Sequence, residues 1–189
     1  MSKLDIVGIC GSLRGRSINR MALELAGELM PSTMRLEITD WRDIPIFDAD
    51  VLANALPPAV QVLRDRIRRA DGLVIATPEY NFSIPGGLKN VIDWLSRGDD
   101  QPFSQKPVAI LSASPGPLGG SRVQYDLRRV FLFVNAMVLV KPEVFIGGAV
   151  AKFDSDGKCI DEATRKFVSA QMLSLDKWIA GVRAMLAQG

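Results

Sequence analysis

Short apolar runs alternate along the chain with segments whose apolar residues recur at helical spacing. The apolar runs predict strands at 4–10, 34–40, 72–77, 107–112 and 136–140, with the last strand broken by Pro142. Apolar residues three or four apart predict helices at 21–29, 60–70, 88–95, 123–134 and from 161 to the end. Five such strand–helix units, with strands apolar almost throughout, predict an α/β fold whose parallel sheet is covered on both faces.

The loops that follow the predicted strands carry most of the unusual polar and glycine-rich sequence. These loops are 11–19, 40–50, 78–87 and 112–121. Ligands of open α/β sheets bind at the carboxyl ends of the strands. The richest loops follow strands one, three and four, which are neighbours if the strand order is 2-1-3-4-5.

Composition narrows the classes of function. The chain has 189 residues and a formal net charge of +2, which fits one domain over 1–189 and no nucleic-acid partner. The densest basic run, 64–69, is predicted to be the solvated face of a helix. The absence of histidine excludes Ser-His and Cys-His catalysis. Cys10 and Cys159 match no metal spacing, so free buried thiols and no metal site are expected.

No apolar segment is long enough for a signal peptide or a membrane span. We therefore expect a cytoplasmic protein without a membrane partner.

The first loop, GSLRGRSIN at 11–19, has the composition of a phosphate-binding turn. It precedes a predicted helix, whose N-terminus attracts anions. Ser12, Ser17 and Asn19 add short donors, and Arg14 adds a forked cation. The glycine spacing differs from the dinucleotide fingerprint, no Walker lysine follows, and a serine nucleophile would lack a histidine base. A simple turn with Ser17 as N-cap remains the alternative.

The second loop, which begins at Pro78, suits a planar polar ligand. Glu79, Tyr80, Asn81 and Ser83 place polar groups and one aromatic ring at the end of a strand. An ordinary half-buried tyrosine beside a turn asparagine is the alternative.

The third loop, SASPGPLGGSR at 112–122, is dominated by small residues. The small residues that leave space for a flat ligand are Ser112, Ser114, Gly116, Gly119 and Gly120. The alternative is a flexible loop with Ser121 as the N-cap of the next helix. A phosphate-type loop beside two loops that suit a planar ring indicates a mononucleotide site.

The segments GSLRGRSIN (11–19) and PEYNFSIPGGLKNVIDWLSR (78–97) resemble the NADPH-dependent FMN reductase family, in its chromate and quinone reductase branch. The resemblance extends through loop 114–122 and KPEVFIGG at 141–148. It implies a flavodoxin-like fold, bound FMN, NADPH or NADH as hydride donor, and reduction of quinones or chromate.

The resemblance also implies roles for particular residues. Those expected at the FMN phosphate are Ser12, Arg14, Ser17, Ile18 and Asn19. Those expected at the isoalloxazine ring are Pro78, Glu79, Tyr80, Asn81 and Ser83, with Ser112, Ser114 and Gly116 at its other edge. Glu79 and Asn81 are expected to act mainly through the backbone, and Phe82 stands where some relatives have tyrosine. No side chain is assigned a catalytic role, and ping-pong kinetics are expected.

A homodimer or homotetramer is a further expectation. The run Phe131, Leu132 and Phe133 cannot all face one core, and Trp94 and Phe103 are predicted to add apolar surface. By resemblance, Arg122, Tyr125 and Glu143 are candidates for contacts between subunits.

Arg97 has two interpretations. It would either attract an anionic acceptor or act as a cation at the end of a helix.

Three other functions stay open at this point. They are an FMN reductase that releases reduced flavin, an azo-dye reductase, and an electron carrier of the flavodoxin type. The net charge of +2 disfavours the carrier, because carriers usually dock through acidic surfaces.

Overall fold

The computed structural model describes residues 3–188 and contains a parallel sheet with the order β2-β1-β3-β4-β5. The strands are β1 Leu4–Cys10, β2 Met34–Thr39, β3 Gly72–Thr77, β4 Pro107–Ala113, β5 Met137–Val138 and β6 Val144–Ile146. The helices are α1 Ile18–Glu28, α2 Ala49–Asn54, α3 Pro58–Arg69, α4 Gly86–Leu95, α5 Ser121–Phe133 and α6 Glu162–Leu186, with a 3-10 turn at Ala149–Lys152. The predicted α/β class and strand order are confirmed.

The last strand differs from the prediction of one run over 136–140. β5 pairs with the start of β4, and β6 then pairs with the end of the same strand. Pro142 lies between the two pieces and has no N–H to donate to a ladder, so the edge is interrupted there. The sheet therefore has six strands rather than five.

The short helix α2 was also absent from the prediction. None of its residues is buried, so it has no apolar stripe that periodicity could detect. Its N-cap is Asp48, whose side chain accepts a hydrogen bond from the Asp50 amide.

Two apolar layers cover the sheet. Along β3, Leu73 and Ile75 pack into the layer of α3, α4 and α5, whereas Val74 and Ala76 pack into the layer of α1 and α6. Successive residues of a strand point to opposite faces, and here both faces are buried. This explains why the strands are apolar at nearly every position.

The interior contains two aromatic residues that the sequence placed at the surface. Trp94 and Phe103 are fully buried. The Trp94 indole donates to the Pro45 carbonyl at 2.8 Å, and Phe103 packs edge-on against Phe131. The apolar surplus lies instead at Leu132 and Phe133, whose surfaces are 80% and 85% exposed.

Arg64 is another departure, because it belongs to the basic run expected to be solvated. It is buried, donates to the carbonyls of Leu95 and Arg97, and pairs with Asp100 at 2.6 Å. Its guanidinium thus satisfies carbonyls at the end of α4, which otherwise lack intrahelical partners.

Both cysteines are free and buried, as expected. Burial raises the pKa of the Cys10 and Cys159 thiols. Within residues 3–188, no helix is long and apolar enough to cross a membrane.

Candidate functional site

The carboxyl ends of β1, β3 and β4 lie side by side on one edge of the sheet, where α1, α4 and α5 follow them. The chain reverses its direction of winding between β1 and β3, and this is where α/β sheets bind ligands. The three loops selected from the sequence therefore meet at one edge.

The start of α1 is fixed by Ser17. Its hydroxyl accepts a hydrogen bond from the Arg20 amide at 3.4 Å, and the side chain is buried against Cys10. The amides of Ile18 and Asn19 belong to the first turn, where a helix offers no carbonyl partners. They form an anion-attracting end of the kind that binds phosphate groups.

The Asn19 side chain has a different partner. Its Nδ2 donates to the Ala113 carbonyl at 2.9 Å, and its Oδ1 accepts from the Ala113 amide at 2.9 Å. This two-way bond ties the first turn of α1 to the last residue of β4. Only the backbone amide of Asn19 is left for a ligand.

Two other residues of the first loop remain available. The Ser12 hydroxyl has the Arg14 amide at 3.4 Å as its neighbour. The Arg14 guanidinium has no hydrogen bond or ion pair with any residue between 3 and 188, whereas Arg16 donates to the Ser155 carbonyl at 2.9 Å. Arg14 is therefore the free cation of this loop.

The second loop folds into a tight turn at Asn81 and Phe82. Tyr80 and Ser83 exchange backbone hydrogen bonds of 3.1 and 3.0 Å around it. The two central residues have φ of 49° and 65°, as in a type I′ turn. Asparagine tolerates this left-handed backbone, but phenylalanine does so only under constraint.

Arg122 and Glu79 supply that constraint. The Arg122 guanidinium carbon lies 3.7 Å from the centre of the Phe82 ring, and Nη2 lies 2.5 Å from the Glu79 carboxylate. Glu79 also accepts from the amides of Arg122 and Val123 at 3.1 and 3.3 Å. The N-cap of α5 is Gly120, not Ser121, so the Glu79 carboxylate acts as the missing cap.

The third loop is supported from below by Ser112. This residue is fully buried; its hydroxyl lies 2.6 Å from the Gly119 carbonyl and accepts from Gln124 at 2.8 Å. Gly119 has φ of 59°, and a Cβ there would lie 2.7 Å from the backbone of Phe145. Ser112 thus shapes the loop from beneath.

A cavity of about 450 Å³ lies between the second and third loops, within the range of about 300–1,000 Å³ that is usual for small-molecule sites. Its walls are formed by Glu79, Asn81, Phe82, Ser114, Gly116, Pro117, Leu118, Gly120 and Arg122.

Four of the residues predicted for the ring line this cavity, namely Glu79, Asn81, Ser114 and Gly116. Pro78, Tyr80, Ser83 and Ser112 do not. The Ser83 hydroxyl instead donates to Asp126 at 3.0 Å. Ser12 and Arg14 line a separate cavity of about 260 Å³ beside the first loop.

Five wall residues were not predicted as ligands: Phe82, Pro117, Leu118, Gly120 and Arg122. The glycine-rich sequence of the third loop and the arginine that ends it were the features of the sequence that could have indicated these wall residues.

Arg97 lies outside this cavity. It donates to the Asp93 carbonyl at 3.0 Å and stacks on Phe47 at the end of α4. These contacts fit the interpretation as a helix-end cation.

Comparison with known proteins identifies the family of the chain. The sequence model of the NADPH-dependent FMN reductase family matches residues 4–151. The chain is 46% identical to the NAD(P)H-dependent FMN reductase of Pseudomonas aeruginosa over 95% of this chain and 97% of that protein. It belongs to the NADPH-dependent FMN reductase family.

A second relative and a solved structure are also similar to this chain over nearly its whole length. Quinone reductase of Escherichia coli strain K12 is 44% identical over 96% of this chain and 98% of that protein. The structure of FerB, a flavoenzyme NAD(P)H:(acceptor) oxidoreductase from Paracoccus denitrificans, matches with a TM-score of 0.86 and 32% identity, covering 94% of this chain and 98% of that one. The chain is thus an NAD(P)H-dependent flavin oxidoreductase with a flavodoxin-like fold, FMN as cofactor and NAD(P)H as electron donor.

The donor set of the site fits FMN. A phosphate dianion matches two first-turn amides, the Ser12 hydroxyl and the free Arg14 guanidinium. The larger cavity combines residues of the second loop with the glycine-rich third loop, and it has room for a flat ring with polar edges.

Proposed function

We propose that this FMN reductase family member retains FMN and reduces quinones to hydroquinones with NADPH or NADH, in two-electron ping-pong turnover. The supporting observation is the placement of a phosphate-type donor set and a ring-sized cavity at adjacent strand ends of one sheet edge. When bound, FMN supplies the redox chemistry, which is the transfer of a hydride from the donor to the acceptor. Chromate or a similar metal oxyanion is proposed as an additional acceptor.

The first loop would hold the phosphate. Ser12, Arg14 and the amides of Ile18 and Asn19 are the proposed contacts. Ser17 would contribute by fixing the helix start from its buried position. The Asn19 side chain would position its own amide by anchoring α1 to β4.

The second and third loops would hold the ring. The backbone of Glu79 and Asn81 would bond one edge, with Ser114 and Gly116 at the other edge. Pro78 and Tyr80 would shape the turn that presents them. Ser83 and Ser112 would fix the two loops through their own hydrogen bonds.

No side chain is proposed as a catalytic acid or base. The chain contains no histidine, and the cavity opens to the surface, so solvent can supply the second proton of the hydroquinone. The protein's contribution is to position donor and acceptor against the ring.

The phosphate contact can be tested by comparing FMN with riboflavin, which lacks the phosphate. We expect Arg14→Ala to weaken FMN binding by about 10–100-fold, because a hydrogen bond to a charged group contributes about 1.5–3 kcal/mol. Riboflavin binding should change little.

Arg16→Ala is the matched control, since Arg16 lies two residues away and bonds Ser155 instead. The binding constants are obtained from flavin fluorescence quenching. Equal losses for FMN and riboflavin in Arg14→Ala would contradict the proposed phosphate site.

Two measurements test whether the enzyme retains FMN and whether turnover is ping-pong. A retained flavin should survive gel filtration, and initial rates at varied NADPH and quinone should give parallel lines. Loss of flavin during filtration would favour the alternative of an enzyme that releases reduced FMN, and intersecting lines would exclude ping-pong turnover.

We also propose a cytoplasmic homodimer or homotetramer. The exposed apolar side chains of Leu132 and Phe133 support association, because apolar surface of this kind often marks a subunit contact. Phe133 also borders a cavity of about 590 Å³ between α4 and α5. Ser83, which closes the 80–83 turn, lies at the same cavity, so association there would reach the candidate site. A single monomeric species in sedimentation velocity at micromolar concentration would contradict this.

A further inference from the structure

Gln124 is a polar side chain in the interior behind the third loop. It is the fourth residue of α5 and is completely buried within a single chain. Its Nε2 donates to the Ser112 hydroxyl and to the Val144 carbonyl, both at 2.8 Å. One amide group therefore joins α5, β4 and β6, and these bonds do not depend on what covers the outer face of α5.

We propose that Gln124 is a positioning residue for the flavin ring, on which it acts through Ser112 and the glycine-rich third loop. The inference rests on the proposed function, because it takes the cavity beside this loop as the place of the ring. Gln124 does not line that cavity and is not proposed to contact FMN.

The directions of the hydrogen bonds follow from the Val144 carbonyl. A carbonyl can only accept, so the Nε2 side of the Gln124 amide must face it. The same nitrogen donates to Ser112, whose single hydroxyl proton is then left for the Gly119 carbonyl at 2.6 Å. The amide thereby fixes the rotation of the hydroxyl, and the hydroxyl holds the loop at Gly119.

The third loop depends on this anchor because of its glycines. Gly119 and Gly120 have φ of 59° and 76°, in the left-handed region that favours glycine. Glycine also has the most conformational freedom of any residue when it is not held. Ser114 and Gly116, which line the cavity, precede these glycines in the same loop. Loss of the anchor should therefore spread this wall of the cavity over several positions.

The test removes the amide by Gln124→Met, which leaves an apolar side chain of similar length. The Kd of a ligand rises by the inverse of the fraction of molecules whose site is correctly placed. If that fraction falls to about one tenth, the Kd values of FMN and riboflavin should both rise about tenfold. The two factors should be equal, because both ligands carry the ring and the first loop is unchanged. Flavin fluorescence quenching with the full chain gives both constants.

Gln171 on α6 provides a matched control. It is almost completely buried, and its Nε2 also donates to two groups, the carbonyls of Ile110 and Pro142, both at 3.0 Å. Within residues 3–188, the Oε1 atoms of Gln124 and Gln171 are both buried without a hydrogen-bond partner. Gln171→Met should lower the Tm of the flavin-free protein about as much as Gln124→Met. It should leave both flavin Kd values within about twofold of wild type.

A spectroscopic signature separates positioning from a general loss of stability. The isoalloxazine ring is achiral, so the visible circular dichroism of bound FMN reports how the protein surrounds the ring. At saturating protein, we expect these bands to change in Gln124→Met and to stay as in wild type in Gln171→Met.

Ser112→Ala breaks the same connection from the other side, and it tests the inference even if Gln124→Met does not fold. It removes the hydroxyl between the amide and Gly119, so the Kd values of FMN and riboflavin should again rise by equal factors. In the double variant, the rise should be well below the product of the two single effects, because the second change removes a link that is already broken.

The outcomes separate this inference from the proposed function. Equal changes of the flavin Kd in Gln124→Met and Gln171→Met would overturn the inference, since Gln124 would then be one buried glutamine among others. An unchanged riboflavin Kd in Gln124→Met or in Ser112→Ala would also overturn it. A wild-type protein that takes up no FMN would overturn the proposed function itself, and the inference with it.

Discussion

Replacing Asn19 with alanine removes the two-way hydrogen bond that ties α1 to β4. Both bonds are 2.9 Å long, and Ala113 is almost completely buried. The substitution leaves the buried N–H and C=O of Ala113 without these hydrogen bonds, and each lost partner costs about 1–3 kcal/mol. We expect a loss of about 2–5 kcal/mol in the free energy of unfolding.

A loss of this size is readily measured. For a domain of this length, 1 kcal/mol corresponds to about 2–4 °C in Tm, so the Tm should fall by about 4–20 °C. Urea unfolding and thermal melts followed by circular dichroism give both values. Protein freed of flavin is used, so that a change in ligand binding does not contribute.

Asn54→Ala is the matched control. The Asn54 amide also donates to a backbone carbonyl, that of Asp50 at 2.8 Å, but it lies on the exposed helix α2. Its loss should cost no more than about 0.5 kcal/mol. If Asn19→Ala and Asn54→Ala had equal unfolding free energies, the proposed anchoring of α1 to β4 would be refuted.

Three further predictions concern the edge of the sheet and its interior. Gly11→Ala should destabilise by about 1–3 kcal/mol or more in urea unfolding, since its Cβ would lie 2.3 Å from the Thr77 hydroxyl oxygen; a normal midpoint would contradict this close packing. Trp41→Phe should cost about 1–3 kcal/mol in the same assay, because the indole donates to the buried Cys10 carbonyl at 2.7 Å, and an unchanged midpoint would show that this bond contributes nothing. Burial raises the pKa of the Cys10 and Cys159 thiols in the folded protein, so these thiols lose their protons at lower pH in the unfolded chain, and the stability should fall above about pH 8.5. Because the chain has no histidine, the Tm should be nearly constant from about pH 6 to 8. A steep change of Tm near about pH 6.5 would contradict this.

The fold could be predicted because the apolar pattern is strong. β1, β3 and β4 are buried on both faces, and the five longer helices each carry a clear apolar stripe. The break at Pro142 was predicted, but the pattern had no means of showing that a sixth strand follows it, or that the exposed α2 forms.

Buried groups with polar or aromatic character were the main source of error. Arg64 resembles any surface arginine in the sequence, and only the position of the α4 carbonyls shows why it is inside. Trp94 is buried because Pro45, from a distant loop, accepts its indole N–H. Neither contact is local in sequence.

The candidate site could also be predicted only in part. The residue types of the three loops predicted a phosphate and a planar ring, and the family is confirmed. The sequence could not distinguish side chains that face the cavity from those that hold the loops. Asn19, Glu79 and Ser112 bond to the protein itself, and this depends on contacts across 94, 43 and 7 positions.

We propose that this sheet edge holds FMN and passes a hydride from NAD(P)H to an acceptor. The most direct measurement is the absorption spectrum of the purified protein before and after anaerobic addition of NADPH, with mass analysis of the released cofactor. We expect two flavin bands that bleach with NADPH, and a cofactor with the mass of FMN. A colourless protein that FMN cannot reconstitute, or bound FMN that NADPH does not bleach, would contradict it.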